Sequence, residues 1–336
     1  MPLEYEIRDG FLSWVRNPFT GVTSYVVDLR DKSFAFTLGT QGPATPTAPV
    51  LDPSTKQQAI AVCPFCPGNE ELTCPELMRL PTTALEAGQT GSSWSLRVFN
   101  NLFPRIPIEY TGGRNESYIL VEDPRHFQDA ASRHDDLMYT AALGPERFVR
   151  IVRTCAQITQ MARENPAVRS VLVRKNQGRE SGASQPHVHT QIIGSAELWP
   201  SLMTEVRVLK EHPRLFDELA NLAFKCDLTF PADAGLAVYL SPIGTFPHSY
   251  DIVMPDFFGT LDQLDESQLE SFARALHCVL ELVGPLPLDY EIHQAQELPL
   301  HAHVNARRFP YSNVGGTLQL PRRLLENAAL RRQLLR

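Results

Sequence analysis

The chain has 336 residues, enough for one large domain or two ordinary ones with a sizeable core. Its 43% hydrophobic and 21% charged residues are those of an ordinary globular protein, and no apolar run reaches the roughly 18 residues of a membrane span. A formal net charge of −7 argues against nucleic acid as a main partner, because phosphate backbones reward basic surfaces.

The start, Met1-Pro2-Leu3-Glu4, has neither a basic segment nor an apolar one of signal-peptide type, so a cytoplasmic location is expected. In a reducing compartment the cysteines at 63, 66, 74, 155, 226 and 278 read as thiols rather than disulfides.

Residues 13–38 alternate apolar and polar around Asn17-Pro18-Phe19-Thr20-Gly21, the pattern of a β-hairpin. Residues 40–58 carry Gly, Pro, Thr and Ser and read as a linker. Cys63-Pro64-Phe65-Cys66-Pro67-Gly68 forms a tight knuckle. Strands are expected at Arg97–Phe99 and Tyr118–Val121, and a helix over 145–164, where Phe148, Ile151, Val152, Cys155, Ile158 and Met161 keep helical spacing. A strand at Ser170–Arg174, a loop over 176–186 and a strand carrying His187, His189 and Gln191 follow.

The second half repeats this plan. Tyr250–Pro255 echoes Tyr118–Pro124, and a helix over 266–283 carries Leu269, Phe272, Leu276, Val279 and Leu280. After a strand at Leu288–Ile292, His301-x-His303-x-Asn305 falls where His187-x-His189-x-Gln191 would. The expected fold class is therefore α+β: two tandem repeats of a strand–helix–strand–strand unit, with antiparallel sheets and packed helices. Residues 1–215 would form the first repeat and 216–336 a degenerate second one. Chance similarity of two α+β halves is the competing reading.

The histidine run is the most informative stretch. In an extended strand, residues i, i+2 and i+4 share a face, so His187, His189 and Gln191 would line one wall. An amide cannot exchange protons near neutral pH and can only hydrogen-bond. A phosphorylated histidine beside it suits attack by an already ionised phosphate, which points to group transfer rather than hydrolysis. Cys63-x-x-Cys66 offers two thiolates with zinc spacing. His126, in Asp123-Pro124-Arg125-His126, and His187 are the candidates to complete a structural zinc site, and redox use of the cysteine pair is the competitor. A second cluster, His293, His301 and His303 with Glu205, suits zinc or ferrous iron. Surface or hydrogen-bonded core histidines fit its spacing nearly as well.

These residues together resemble the galactose-1-phosphate uridylyltransferase family of the histidine-triad superfamily. The resemblance runs from about residue 13 to 318 and rests on Asn17-Pro18-x-Thr20-Gly21, Cys63-Pro64-x-Cys66-x-Gly68, Arg97-Val98-Phe99-Asn100-Asn101, Pro124-x-His126, Asn176-x-Gly178 and Ser184-x-Pro186-His187-x-His189-x-Gln191. It implies two histidine-triad-like repeats and a homodimer. His189 would be the nucleophile that attacks the α-phosphorus of a nucleotide sugar, with Gln191 bonding the phosphate oxygens. Arg30, Asn101, Asn176, Gly182 and Ser184 would bind substrate. It places a structural Zn2+ on Cys63, Cys66, His126 and His187, and a second Zn2+ or Fe2+ on Glu205, His293, His301 and His303.

Leu102 stands where uridylyltransferases often carry an aspartate, and resembles the branch that includes ADP-glucose phosphorylase. Near the N-terminus Ser33 takes the place of a second arginine, and the Asn313–Thr317 tail keeps a glycine pair without the usual Lys-Phe. The activity the resemblance implies is transfer of UMP or AMP from a nucleotide sugar to a sugar 1-phosphate through a nucleotidyl-histidine, within galactose or other carbohydrate metabolism. A phosphorylase acting on ADP-glucose or a dinucleoside polyphosphate, with inorganic phosphate as acceptor, is the alternative. A non-catalytic, zinc-stabilised nucleotide-binding protein is a third reading.

Overall fold

The computed structural model describes residues 2–27, 48–83, 92–246, 248–307, 312–314 and 317–321. Their first strands in chain order are β1 (Glu4–Arg8), β2 (Phe11–Arg16), β3 (Thr23–Val27), β4 (Glu76–Pro81), β5 (Trp94–Asn100), β6 (Glu116–Val121), β7 (Ser170–Gln177) and β8 (His189–Ser195). Then come β9 (Thr229–Phe230), β10 (Ala237–Leu240), β11 (Ser249–Gly259), β12 (Leu288–His293), β13 (Ala295–Ala306), β14 (Ser312–Val314) and β15 (Thr317–Pro321). The α-helices are α1 (Pro53–Val62), α2 (Pro145–Glu164), α3 (Pro200–Glu211), α4 (Leu215–Lys225) and α5 (Glu266–Val283). Helices packed with mostly antiparallel sheets make the class α+β, as expected.

The described residues form two compact units, each assembled from separated segments: those within 46–198 and 260–287, and those within 1–45, 199–259 and 288–336. The first unit holds a run of antiparallel strands in the order β4-β5-β6-β8-β7. Helix α2 begins at Pro145, whose missing N–H costs nothing at a first helical position. It buries Phe148, Ile151, Val152, Cys155 and Ile158, the stripe its spacing predicts. Helix α5 starts with a capping box between Asp265 and Gln268 and stops at Gly284, whose φ of +67° suits glycine. The two helices meet through Phe148 and His277, with ring centroids 5.6 Å apart, and through Arg274–Glu146 at 2.7 Å.

Residues 53–62 are helical, which corrects the linker expected over 40–58. Asp52 accepts hydrogen bonds from the Ser54 and Thr55 amides, and Pro53 opens the helix. This helix buries no side chain, so no apolar stripe marked it in the sequence.

In the second unit the β12-β13-β11-β10-β9 run is antiparallel. A smaller sheet runs β1-β2-β3-β15-β14, and the hairpin expected around Asn17–Gly21 is its β2–β3 pair. The β3–β15 pair is parallel, a departure from the all-antiparallel expectation. A strand returning from far along the chain is free of the antiparallel geometry a tight hairpin imposes. Helix α3 buries Leu202, Val206 and Leu209 on one face, and Glu205 falls within that stripe. No described helix is long and apolar enough to cross a membrane.

Candidate functional site

The knuckle and two histidines converge in the first unit. One ligand atom from each of Cys63, Cys66, His126 and His187 lies within 4.8 Å of the others, and all four residues are buried. Cys66 Sγ is 3.4 Å from Nδ1 of both His126 and His187, and Cys63 Sγ is 3.6 Å from His187 Nδ1. A tetrahedral zinc with Zn–S of about 2.3 Å and Zn–N of about 2.05 Å sets a sulfur–nitrogen edge of about 3.6 Å, so the donors fit that ion. His187 Nε2 donates to the Asp123 carbonyl at 2.7 Å, which turns the Nδ1 lone pair toward the thiols. The Cys63 thiol is pushed down, first by its hydrogen bond from Cys66.

His187 precedes the strand: β8 begins at His189, so the two rings do not share a pleated wall as expected. That break lets His187 turn to the knuckle while His189 faces a cavity of about 190 Å³. Phe65, Phe99, Asn101, Leu102, Gly182, Ser184 and Gln191 also line this cavity. His189 Nδ1 donates to the His187 carbonyl at 2.8 Å, leaving Nε2 with the lone pair. Phe65 meets the His189 ring edge-on at 5.2 Å between centroids. Burial, helped by the charge of Lys175, pushes the imidazole down to about 4. The ring is therefore neutral at physiological pH, with the Nε2 lone pair free.

Of the expected substrate contacts, Asn101, Gly182, Ser184 and Gln191 line the cavity. Asn176 stands one layer back: its amide nitrogen donates to the Ser181 carbonyl and its oxygen accepts from Arg174 at 2.8 Å. It thereby braces the turn at Gly182, whose φ of +84° suits glycine. Arg30 and Ser33 lie outside the described residues.

The second cluster, Glu205, His293, His301 and His303, also brings its ligand atoms within 4.8 Å of one another. His293 Nδ1 is 2.9 Å from both Glu205 oxygens, and His301 and His303 Nε2 lie 3.5 and 3.7 Å from that carboxylate. His301 Nδ1 donates to the Pro299 carbonyl at 2.7 Å, and its Nε2 is buried with no hydrogen-bond partner. His303 Nδ1 is held by Asp251 at 2.7 Å, the carboxylate–histidine arrangement of metal sites. An orphaned nitrogen aimed among three such groups fits a bound cation.

Residues 106–254 match the model of a domain of unknown function, DUF4921. The chain is 23% identical over 274 residues to ADP-glucose phosphorylase from Arabidopsis thaliana, covering 75% of this chain and 71% of that one. A structure of an Arabidopsis thaliana ADP-glucose phosphorylase with bound ADP-glucose superposes with TM-score 0.66 at 18% identity, over 98% of each chain. A GALT-like protein from the same plant gives 0.62 at 20%, over 80% of this chain and 91% of that one. A uridylyltransferase gives 0.61 at 19%, over 95% and 98%. The fold is that of the uridylyltransferases.

Within this uridylyltransferase-like fold, three supports were missed in the sequence: Asp123 behind His187, Asp251 behind His303, and a buried Glu122–Lys175 pair beneath His189. Two charges set in apolar strands, Glu122 after Tyr118–Val121 and Lys175 after Ser170–Val173, were the available signal. Which strand neighbours would pair them was not legible.

Proposed function

We propose that this protein is a nucleotidyltransferase that moves a nucleoside monophosphate, UMP or AMP, from a nucleotide sugar to a phosphate-bearing acceptor through His189. The observation that carries the reading is the His189 ring, fixed by the His187 carbonyl and opening with Gln191 and Ser184 onto one cavity. In the first step His189 Nε2 attacks the α-phosphorus, an N–P bond forms, and the bond to the departing sugar phosphate breaks. In the second, an oxygen of the acceptor phosphate attacks in line, the N–P bond breaks, and the imidazole is restored. Gln191 and backbone N–H groups of the 182–185 loop would stabilise the non-bridging oxygens, at about 3–4 kcal/mol for a well-placed donor. Arg30 is expected to join them.

The acceptor divides two readings. A sugar 1-phosphate makes the enzyme uridylyltransferase-like. Inorganic phosphate makes it a phosphorylase, and the relationship to ADP-glucose phosphorylase together with apolar Leu102 on the cavity wall favours that second reading. Cys63, Cys66, His126 and His187 would hold a structural zinc that ties the knuckle to the nucleophile. Glu205, His293, His301 and His303 would hold a second Zn2+ or Fe2+.

Part of the same proposal is the duplication of a unit over residues 1–215 and 216–336. The shared strand order, with a helix after the third strand in both β4–β8 and β9–β13, supports it. A cytoplasmic homodimer completes the picture.

The test is to incubate the protein with labelled ADP-glucose and UDP-glucose, map any acid-labile adduct, and chase it with phosphate or glucose 1-phosphate. An adduct on His189 discharged by one acceptor is expected. No adduct with either donor overturns the reading.

A further inference from the structure

Glu122 and Lys175 are opposite charges enclosed in the first unit, with 0% and 2% of their surface exposed. Lys175 Nζ lies 2.7 Å from Glu122 Oε1 and 2.8 Å from the His189 carbonyl oxygen. Thr190 Oγ1 donates to Glu122 Oε1 at 2.6 Å, and Thr140 Oγ1 to Oε2 at 2.7 Å. Arg147, from α2, donates through Nε to the Glu122 carbonyl at 3.1 Å. Both carboxylate oxygens thus accept hydrogen bonds, and the residue's own backbone is anchored to a helix.

Stability alone does not account for such a pair. Desolvating two ions offsets most of their attraction, and apolar residues of similar volume often serve the fold as well. Its placement is specific, however. It grips β8 at two consecutive residues, His189 through the carbonyl and Thr190 through the side chain. Successive side chains of a strand point to opposite faces, so this grip lies behind the strand from the cavity that His189 enters. It fixes the His189 peptide, and with it the Cα–Cβ direction, without a hydrogen bond to the imidazole.

We propose that Glu122 and Lys175 are positioning residues that hold the His189 peptide so that Nε2 meets the α-phosphorus in line, an inference that rests on His189 as the nucleophile. A misplacement of about 1 Å in an attacking atom costs on the order of 100-fold in rate. Removing the pair therefore acts on the chemical step and leaves substrate affinity alone.

The experiment compares wild type with the double variant Glu122→Gln/Lys175→Met, which removes both charges and keeps an acceptor for one threonine and a donor for the hydroxyl of the other. Melting temperature and zinc content report the fold. Rapid quench with labelled ADP-glucose or UDP-glucose, whichever labels the wild type, reports the nucleotidylation rate and the half-saturating concentration. Histidine-labelled NMR reports the order of the His189 ring without any chemistry.

The expected result is a folded, zinc-loaded variant with half-saturation within about threefold, a rate 10- to 100-fold lower, and a broadened or split His189 signal. A rate within twofold and an unchanged His189 signal in that folded variant overturn the proposal. Wild type that takes no nucleotide while its His189 signal still depends on the pair overturns the nucleophile reading and upholds the positioning. Should the double variant fail to fold, Thr190→Val loosens the same grip by one bond. It is expected to slow the step about 3- to 10-fold, and a rate within twofold there overturns the proposal equally.

Discussion

His187 and His189 are joined by one hydrogen bond, from the His189 ring to the His187 carbonyl at 2.8 Å, yet their rings serve different neighbours. His187 faces two thiols and His126, and His189 faces the cavity. Replacing each should therefore fail differently. His189→Ala is expected to keep metal content and melting temperature while nucleotidyl exchange falls by more than about 10⁴-fold. His187→Ala is expected to lose one equivalent of zinc and on the order of 10 °C in melting temperature. Elemental analysis, thermal melts and exchange assays on the two variants check this. Equal metal loss in both would contradict the division of labour.

Gln191 lines the same cavity and is neither an acid nor a base near neutral pH. Gln191→His places a general base within reach of water. Hydrolysis of the nucleotidyl adduct, followed by quench after removal of free substrate, is expected to accelerate about 100-fold or more. An adduct as long-lived as that of the wild type would show that water is excluded by some other means.

Two donor sets predict two metal equivalents per chain. Glu205→Ala is expected to reduce this to one, leaving zinc at Cys63, Cys66, His126 and His187, because the two sets share no residue. Cys63→Ser should instead spare the second ion. Elemental analysis of variants purified without added metal decides the matter, and a single equivalent in the wild type would remove the second site.

Glu122 carries a pH signature. Burial alone would raise its carboxyl, but Lys175 and the Thr190 and Thr140 hydroxyls prevail and hold it below the usual carboxylate range. A carboxyl depressed by folding stabilises above its unfolded value of about 4.3 and loses that contribution as pH falls through the folded value. Wild type should therefore lose melting temperature on acidification below about pH 4. Glu122→Gln leaves Lys175 buried without its counter-charge, so it should be less stable at pH 7 by about 3–5 kcal/mol. With no carboxyl to protonate, its acid limb should be shallower. Parallel melting curves of the two proteins across pH 3–7 would refute this assignment.

Much of the fold was written in periodicity. Helix α2 at 145–164 and helix α5 at 266–283 fall where the apolar spacing of Phe148–Ile158 and Leu269–Leu280 places them. Helix α1 was hidden because it buries nothing, and α3 because a glutamate interrupts its apolar face. Both donor sets were legible as clusters of metal-binding residue types, since few residues supply such donors. Their supports were not: the Asp123 carbonyl is backbone and leaves no mark on residue choice. Asp251 and Lys175 depend on strand register, pairing Asp251 with His303 across β11–β13, which spacing along one chain does not encode.

The packing of α2 against α5 bears on the order in which the protein can be made. On the ribosome, the knuckle, His126 and the histidine strand all emerge well before residue 266, so the four donors of the proposed zinc site are complete early. The face of α2 that α5 covers stays open to water until residue 283 has left the exit tunnel. The helix that packs behind the histidine strand is thus covered by one translated long after it, and a chain released short of α5 exposes the apolar face of α2 to chaperones.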